Sequence, residues 1–283
     1  MSIIIIKTVK EMHALSDSLR MQGKTIGFVP TMGFLHEGHA ALIQKAASEN
    51  DIVIVSVFVN PLQFSATEDY GIYPKNFEGD CAIIEQSHGN ILFYPTKDEM
   101  YPANFSTSIS IGNITNTFEG FFRPGHFEGV ATVVAKLLMS TKPHHAYFGQ
   151  KDYQQTLVIQ RLIQDLHIDC TMQIVPTVRE DDGLAKSSRN VYLQKEERQQ
   201  STIIYKALMN AKNAYQQGER NRLMLNTYMH ETLSALPQFD IQYASCAEAE
   251  TLHEPDIFEE KSKVVFLIAG YLGKTRLIDN MMS

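Results

Sequence analysis

Short apolar runs alternate with amphipathic stretches through the first 180 or so residues. Ile26-Gly27-Phe28-Val29 is short, apolar and β-prone. Asp51 to Val59 (DIVIVSVFV) is almost unbroken apolar sequence, the texture of a strand covered on both faces in a parallel sheet. Ile91-Leu92-Phe93-Tyr94, His145-Ala146-Tyr147-Phe148 and the segment from Cys170 to Val178 read as further strands. Between them lie helical patterns. Thr8-Val9-Lys10-Glu11 forms a capping box that opens a helix ending near Gly23. His39 to Ser48 carries Ala40, Ala41, Leu42, Ile43, Ala46 and Ala47, which suit a buried helix. Further helices are predicted near Asn76 to Ser87, from Phe127 to about Met139, and from Asp152 to Leu166. Strand, helix and strand across residues 26–59 make a right-handed βαβ unit, and the continuing alternation predicts a doubly wound parallel α/β domain. After about residue 180 the texture changes. Long polar helical stretches (Lys195 to Gln217, Arg222 to Leu236) precede short strands at Ile241–Ala244, Val264–Ala269 and Arg276–Ile278. These predict a smaller α+β domain, with a boundary near Pro176–Thr177 that divides the chain into 1–176 and 177–283.

Ligands in doubly wound folds bind beyond the carboxyl ends of the strands, and the polar motifs fall there. Pro30-Thr31-Met32-Gly33-Phe34-Leu35-His36-Glu37-Gly38-His39 passes from a strand into a helix. A helix N-terminus attracts anions, and imidazoles at i and i+3 share one face of its first turn. The segment reads as a triphosphate cradle; the alternative is a βα turn with two surface histidines. Asn60 and Gln63, after the next strand, offer neutral donors and acceptors to hydroxyl and carboxylate oxygens, or else form a polar turn. Arg123 and His126 lie in a glycine- and aromatic-rich turn, where they contact an anion or order the turn itself. In Phe148-Gly149-Gln150-Lys151-Asp152-Tyr153-Gln154-Gln155, Lys151 suits phosphate, and Asp152 suits a ribose hydroxyl or a helix cap. Thr177 to Asn190 is charged and hydroxyl-rich, with Lys186, Ser187, Ser188 and Arg189 able to close over phosphates. Glu180 to Asp182 in the same segment read as solvating acids rather than metal ligands.

Composition narrows the partner. Net charge is −7 over 283 residues, with no long basic run, which argues against nucleic acid. Against that acidic background the basic residues near the motifs suggest a small anionic ligand. Cys81, Cys170 and Cys246 are far apart and show no Cys-x-x-Cys spacing, so neither a disulfide framework nor a zinc site is expected and a reducing cytoplasm fits best. The Ile3-Ile4-Ile5-Ile6 run is too short to cross a membrane and lacks a signal-peptide pattern.

Taken in order, PTMGFLHEGH, FVNPLQF, FEGFFRPGHFEGVATVVAKLL, FGQKDYQQ, REDDGLAKSSRN and the terminal TRLIDN resemble the motifs of the pantoate–β-alanine ligase family. They span residues 30 to 280. The HxGH element alone is shared with the wider nucleotidyltransferase superfamily; the six together are specific. The resemblance implies a Rossmann-like N-terminal domain, a smaller C-terminal domain covering the site, and a homodimer. It implies that ATP and pantoate give pantoyl adenylate and pyrophosphate, with Mg²⁺ accompanying the nucleotide, and that β-alanine then yields pantothenate and AMP. Carried over residue by residue, His36 and His39 would contact ATP phosphates and Met32 would line the nucleotide site. Gly149, Lys151, Asp152, Val178, Lys186, Ser187, Ser188 and Arg189 complete the ATP set, Lys186 on physical grounds rather than from the family pattern. Gln63 and Gln155 would hold pantoate, with Asn60 and Arg123 as second-rank candidates for the same site. Asp80 is the nearest match for a metal ligand, in a stretch (Asn76-Phe77-Glu78-Gly79-Asp80) less acidic than the family pattern. An adenylyltransferase of another small acid or phosphate ester shares only the HxGH core. A nucleotide-sensing or RNA-binding module is the reading from a different class.

Overall fold

The computed structural model describes residues 3–65 and 68–283. In chain order the first part contains β1 (Ile4–Ile6), α1 (Val9–Met21), β2 (Ile26–Thr31), α2 (Glu37–Glu49), β3 (Ile52–Val57), α3 (Phe77–Gln86), β4 (Ile91–Phe93), α4 (Lys97–Met100), α5 (Phe118–Phe122), α6 (His126–Thr141), β5 (His145–Gly149), α7 (Tyr153–Asp165) and β6 (Thr171–Val175). The second contains α8 (Lys195–Gln200), α9 (Ile203–Gln216), α10 (Arg222–Ser234), β7 (Phe239–Glu248), β8 (Val264–Leu272) and β9 (Thr275–Met282). Two compact units result. One comprises Met1–Gln150 and Gln154–Pro176; the other comprises Lys151–Tyr153 and Thr177–Ser283.

The first unit is built on a six-stranded sheet of order β1-β4-β3-β2-β5-β6, parallel throughout. Its strands alternate in the two-residue period that sends side chains to opposite faces. Ile26, Phe28, Ile54, Ile91, Phe93, Ala146 and Phe148 pack with Met12 of α1, Val130 to Leu138 of α6, and Ile159 and Leu162 of α7. Val29, Val53, Val55, Val57, Leu92 and Tyr147 pack on the other side, with Leu42, Ile43 and Ala46 of α2 and Ile84 of α3. Both faces are therefore covered, as the unbroken apolar run in β3 requires. The chain steps from β2 through β3 to β4 in one direction and then returns to place β5 against the opposite edge of β2. That reversal makes β2 and β5 the switch point, where ligands bind in such sheets. Their carboxyl ends carry Thr31-Met32-Gly33 and Gly149-Gln150.

The second unit is a three-stranded antiparallel sheet, β7-β8-β9. Its core joins Ile204, Ala207, Leu208, Ala211 and Tyr215 of α9, and Leu225, Met229 and Leu233 of α10, to Ala244, Cys246, Val264, Phe266, Ile268 and Leu272. The spacing of the α9 residues is that of one helix face. The isoleucine run at the N-terminus, given no element from the sequence, is β1, an outer parallel strand paired with β4. One expectation needs correction. The single helix expected across 195–217 is two, α8 and α9, divided at Ser201-Thr202, where the Ser201 hydroxyl donates to the Arg198 carbonyl.

Candidate active site

The turn after β2 has an unusual backbone. Gly33 has φ +89° and Phe34, with a full side chain, has φ +52°, a left-handed conformation disfavoured for an L-residue. Asp80, on α3, holds it. Its carboxylate accepts from Phe34 N at 3.1 Å and Leu35 N at 2.7 Å and is only 3% exposed. Burial pushes the Asp80 carboxyl above its ordinary range, while those two backbone N–H groups oppose the shift. Asp80 thus braces the turn through both oxygens, each of which keeps a further lone pair. Among the described residues no group of three or more His, Cys, Asp or Glu could hold a metal ion.

The turn delivers the chain to His36, the N-cap of α2. Nδ1 of His36 accepts from Gly38 N at 3.1 Å, and Nδ1 of His39 accepts from His36 N at 3.2 Å. Two imidazoles thereby fill the reciprocal roles of a capping box. A ring nitrogen that accepts from a backbone N–H carries no proton, so in each neutral ring the hydrogen sits on Nε2. The ring centroids are 4.2 Å apart. A Cβ at Gly38 would lie 2.8 Å from the His36 ring, so this cap needs glycine there. The helix start carries partial positive charge, and two N–H donors added to it suit a polyphosphate.

A second cluster forms beside β3. Asn60 is 1% exposed; its Nδ2 donates to Gln63 Oε1 and to Gly129 O, both at 3.1 Å. The Tyr101 hydroxyl donates to Asn60 Oδ1 at 2.7 Å. Gln63 Nε2 faces Met32 Sδ at 3.0 Å, which brings Met32, Asn60 and Gln63 together. His126 anchors the main chain of the same residue: its Nδ1 lies 2.9 Å from Gln63 O and its Nε2 lies 3.0 Å from Arg123 Nη1. A carbonyl only accepts and a guanidinium only donates, so His126 is the neutral Nδ1–H tautomer. Burial, followed by the Arg123 charge, lowers its pKa to about 4. Arg123 itself pairs with Glu68 and Glu119. Its guanidinium therefore orders the turn, the alternative that the sequence left open, and Asn60 likewise has an internal partner for each amide atom. Gln155 is half-buried near the start of α7, while Gln154 is a buried brace: it accepts from Glu119 N and donates to Ile114 O and Thr117 O.

At the end of β5 the space a Cβ would take on Gly149 is open. Lys151 and Asp152 belong to the second unit, with Lys151 Nζ 3.9 Å from Asp152 Oδ1. Asn280 Nδ2 donates to Lys151 O at 2.8 Å, and Tyr153 Oη donates to Ala249 O at 2.7 Å. The 179–190 loop has a fixed base. Arg179 makes a two-point ion pair with Asp279, at 2.6 and 2.9 Å, and donates to Gly183 O and Asn280 O. Arg179 and Ala185 are bridged, and Lys186 N donates to Val178 O. Ser187 caps a short helical turn, and its hydroxyl accepts from Arg189 N at 3.3 Å; Ser188 is buried. Lys186 Nζ lies 3.1 Å from Glu180, and Arg198 pairs with Asp182 at 2.7 Å. Two of the three loop acids therefore have cationic partners. Sequence reasoning missed Tyr101, Glu68 and Gln154. Their contacts lie 35 to 55 residues away in the chain, so no local pattern marks them.

The chain is similar over nearly its whole length to proteins of one family. The family model described as pantoate-beta-alanine ligase matches residues 4–282. A pantothenate synthetase of Thermotoga neapolitana is 47% identical over 276 residues, 98% of each chain. A crystal structure of pantothenate synthetase from Thermus thermophilus superposes with a TM-score of 0.92 at 42% identity, covering 99% of both chains. A crystal structure of the Francisella tularensis pantoate-beta-alanine ligase, complexed with beta-gamma ATP and beta-alanine, has a TM-score of 0.80 at 37% identity and covers 99% of this chain and 97% of that one.

Proposed function

The chain belongs to the pantoate–β-alanine ligase family, and from that premise we propose which residues carry its ATP-dependent amide ligation. The reaction joins pantoate to β-alanine through a pantoyl adenylate. A pantoate carboxylate oxygen attacks the α-phosphorus of ATP and pyrophosphate leaves. The β-alanine amine then attacks the acyl carbon, loses a proton, and AMP leaves with the carboxylate oxygen that bridged carbon and phosphorus. A carboxylate is a poor electrophile, and adenylation gives it a good leaving group. No side-chain nucleophile is required; positioning and fixed donors against phosphoryl charge supply the catalysis.

From the first unit, His36 and His39 donate Nε2–H to ATP phosphates, Met32 and Gly149 border the nucleotide, and Gln63 and Gln155 hold pantoate. Asn60 and Arg123 act behind Gln63. From the second unit, Lys151 meets phosphate, Asp152 the ribose, Val178 the nucleotide, and Ser187, Ser188 and Arg189 the phosphates. The observation that carries this reading is the histidine pair, whose protons are forced to Nε2 at the start of α2. Asp80 is the candidate ligand for the Mg²⁺ that accompanies the nucleotide, and no step is assigned to the metal. A homodimer and a cytoplasmic setting are inferred from the family. Mixing the protein with ATP and pantoate tests the reading: pyrophosphate is released without β-alanine, and β-alanine then converts the bound adenylate to pantothenate and AMP. Pyrophosphate release with another acid but none with pantoate would favour the alternative adenylyltransferase.

A further inference from the structure

Three buried polar side chains stand in series beside β3, and their orientation follows from the groups around them. The Gly129 carbonyl can only accept, so the amino end of Asn60 faces it, and the second amino hydrogen goes to Gln63 Oε1. Asn60 Oδ1 then lies on the opposite side, where it receives Leu62 N at 3.4 Å and Tyr101 Oη at 2.7 Å. That oxygen has no hydrogen, so the phenol must be the donor. Burial holds the Tyr101 hydroxyl well above the usual phenol range, and it keeps its proton. With Oε1 of Gln63 occupied, the end left toward Met32 is Nε2. A thioether is a weak acceptor, one that a carboxylate or hydroxyl oxygen readily replaces.

The scaffold for this series is rigid. The Tyr101 ring packs against Phe58 and Phe105, with centroids 6.0 and 4.9 Å away, so ring placement does not depend on the hydroxyl. A Cβ at Gly129 would overlap the Leu62 carbonyl and lie 2.6 Å from Gln63 N, which is why α6 approaches that segment closely enough to lend its carbonyl.

We propose that Tyr101 is a positioning residue for pantoate recognition: through Asn60 its hydroxyl fixes the Gln63 amide with Nε2 toward the substrate, so that Gln63 donates to an oxygen of the hydroxy acid. This rests on the reading of Gln63 as a pantoate residue. The test measures KM for pantoate and for ATP, with melting temperatures, in Tyr101→Phe, Gln63→Ala, Gln63→Glu and the Tyr101→Phe/Gln63→Ala pair. Tyr101→Phe is expected to raise KM for pantoate about 3- to 10-fold, the worth of one hydrogen bond, with KM for ATP and the melting temperature near the parent's. Added to Gln63→Ala, it is expected to change KM for pantoate by less than about twofold, because the group it orients is gone. Gln63→Glu keeps an oxygen toward Asn60 but loses the donor, and raises KM for pantoate at least as far as Gln63→Ala. A Tyr101→Phe enzyme with the parent's KM for pantoate overturns the relay, as does full additivity in the pair. A common rise in both KM values with a lowered melting temperature also overturns it, since that marks a structural hydroxyl alone. If Gln63→Glu binds pantoate as well as the parent, the donor assignment falls. If Gln63→Ala leaves pantoate unaffected, the pantoate reading of Gln63 fails first and the relay with it.

Discussion

Three histidines of the candidate site have their protons located by what faces them, and each location has a consequence. His36 and His39 accept through Nδ1 and keep Nε2–H; His126 donates through Nδ1 and accepts at Nε2. His39→Asn retains an oxygen able to accept from His36 N but has nothing in place of Nε2–H. It should melt near the parent temperature while adenylation slows about 10²- to 10³-fold, the usual loss for one donor to developing negative charge. Single-turnover pyrophosphate release checks this, and near-parent rates in both His39→Asn and His36→Ala would remove the phosphate role. His126 governs pH instead. Its folded pKa of about 4 lies below the ordinary histidine value of 6.5, so its neutral form contributes stability in full above about 6.5. That contribution is lost as pH falls toward 4, because the unfolded chain binds the proton first. The loss is roughly 3 kcal/mol at most, at about 1.36 kcal/mol per pH unit. Unfolding free energies measured from pH 7 to 4 should fall less steeply in His126→Asn than in the parent. The chain itself shows two histidines three apart and a glycine between them, which suffices to suggest phosphate. It does not show the direction of any proton, because the Gly38 N–H, Gln63 O and Arg123 become partners of these rings only in the folded chain.

At the level of elements, the left-handed turn at Gly33 and Phe34 is held by a carboxylate from α3 that accepts from Phe34 N and Leu35 N. Replacing Asp80 with Ala leaves two N–H groups without their acceptor, at about 1–3 kcal/mol each. Asp80→Ala should therefore be destabilised by roughly 2–6 kcal/mol in denaturant unfolding. A raised Mg²⁺ requirement in its residual adenylation would give Asp80 a metal role as well, and unchanged stability would remove the brace. Sequence order placed Asp80 near the right elements but could not distinguish a ligand from a brace, since its partners are 45 and 46 residues away. The buried strands were legible because burial on both faces leaves an unbroken apolar signature, as in β3. The outer strand β1 was not, because Ile4 and Ile5 are 54% and 42% exposed and only pairing with β4 makes that run a strand.

Across the whole molecule, the loop from Glu180 to Asn190 stands on the Arg179–Asp279 pair. Two of its acids, Glu180 and Asp182, are paired with Lys186 and Arg198. Lys186 is engaged with Glu180, so Lys186→Met should adenylate within about threefold of the parent, since a partly exposed ion pair is worth about 0–1 kcal/mol. Ser187→Ala and Arg189→Ala should both be slow in the same single-turnover assay. A Lys186→Met enzyme as slow as those two would place the lysine on the nucleotide. The change of texture near Pro176–Thr177 was legible as a change from apolar strands to polar helices. The assignment of Lys151-Asp152-Tyr153 to the second unit was not, because it depends on Asn280 and Ala249, which are distant in sequence. That small excursion bears on how the gene can be cut. A fragment ending at Pro176 retains all six parallel strands, yet it takes Lys151 away from the asparagine that holds its carbonyl and Tyr153 away from its acceptor. The two halves, expressed separately, are therefore not a binding half and a covering half. The lysine's peptide travels with one piece while its anchor is encoded in the final residues of the other, so activity from split halves would have to await their reassociation.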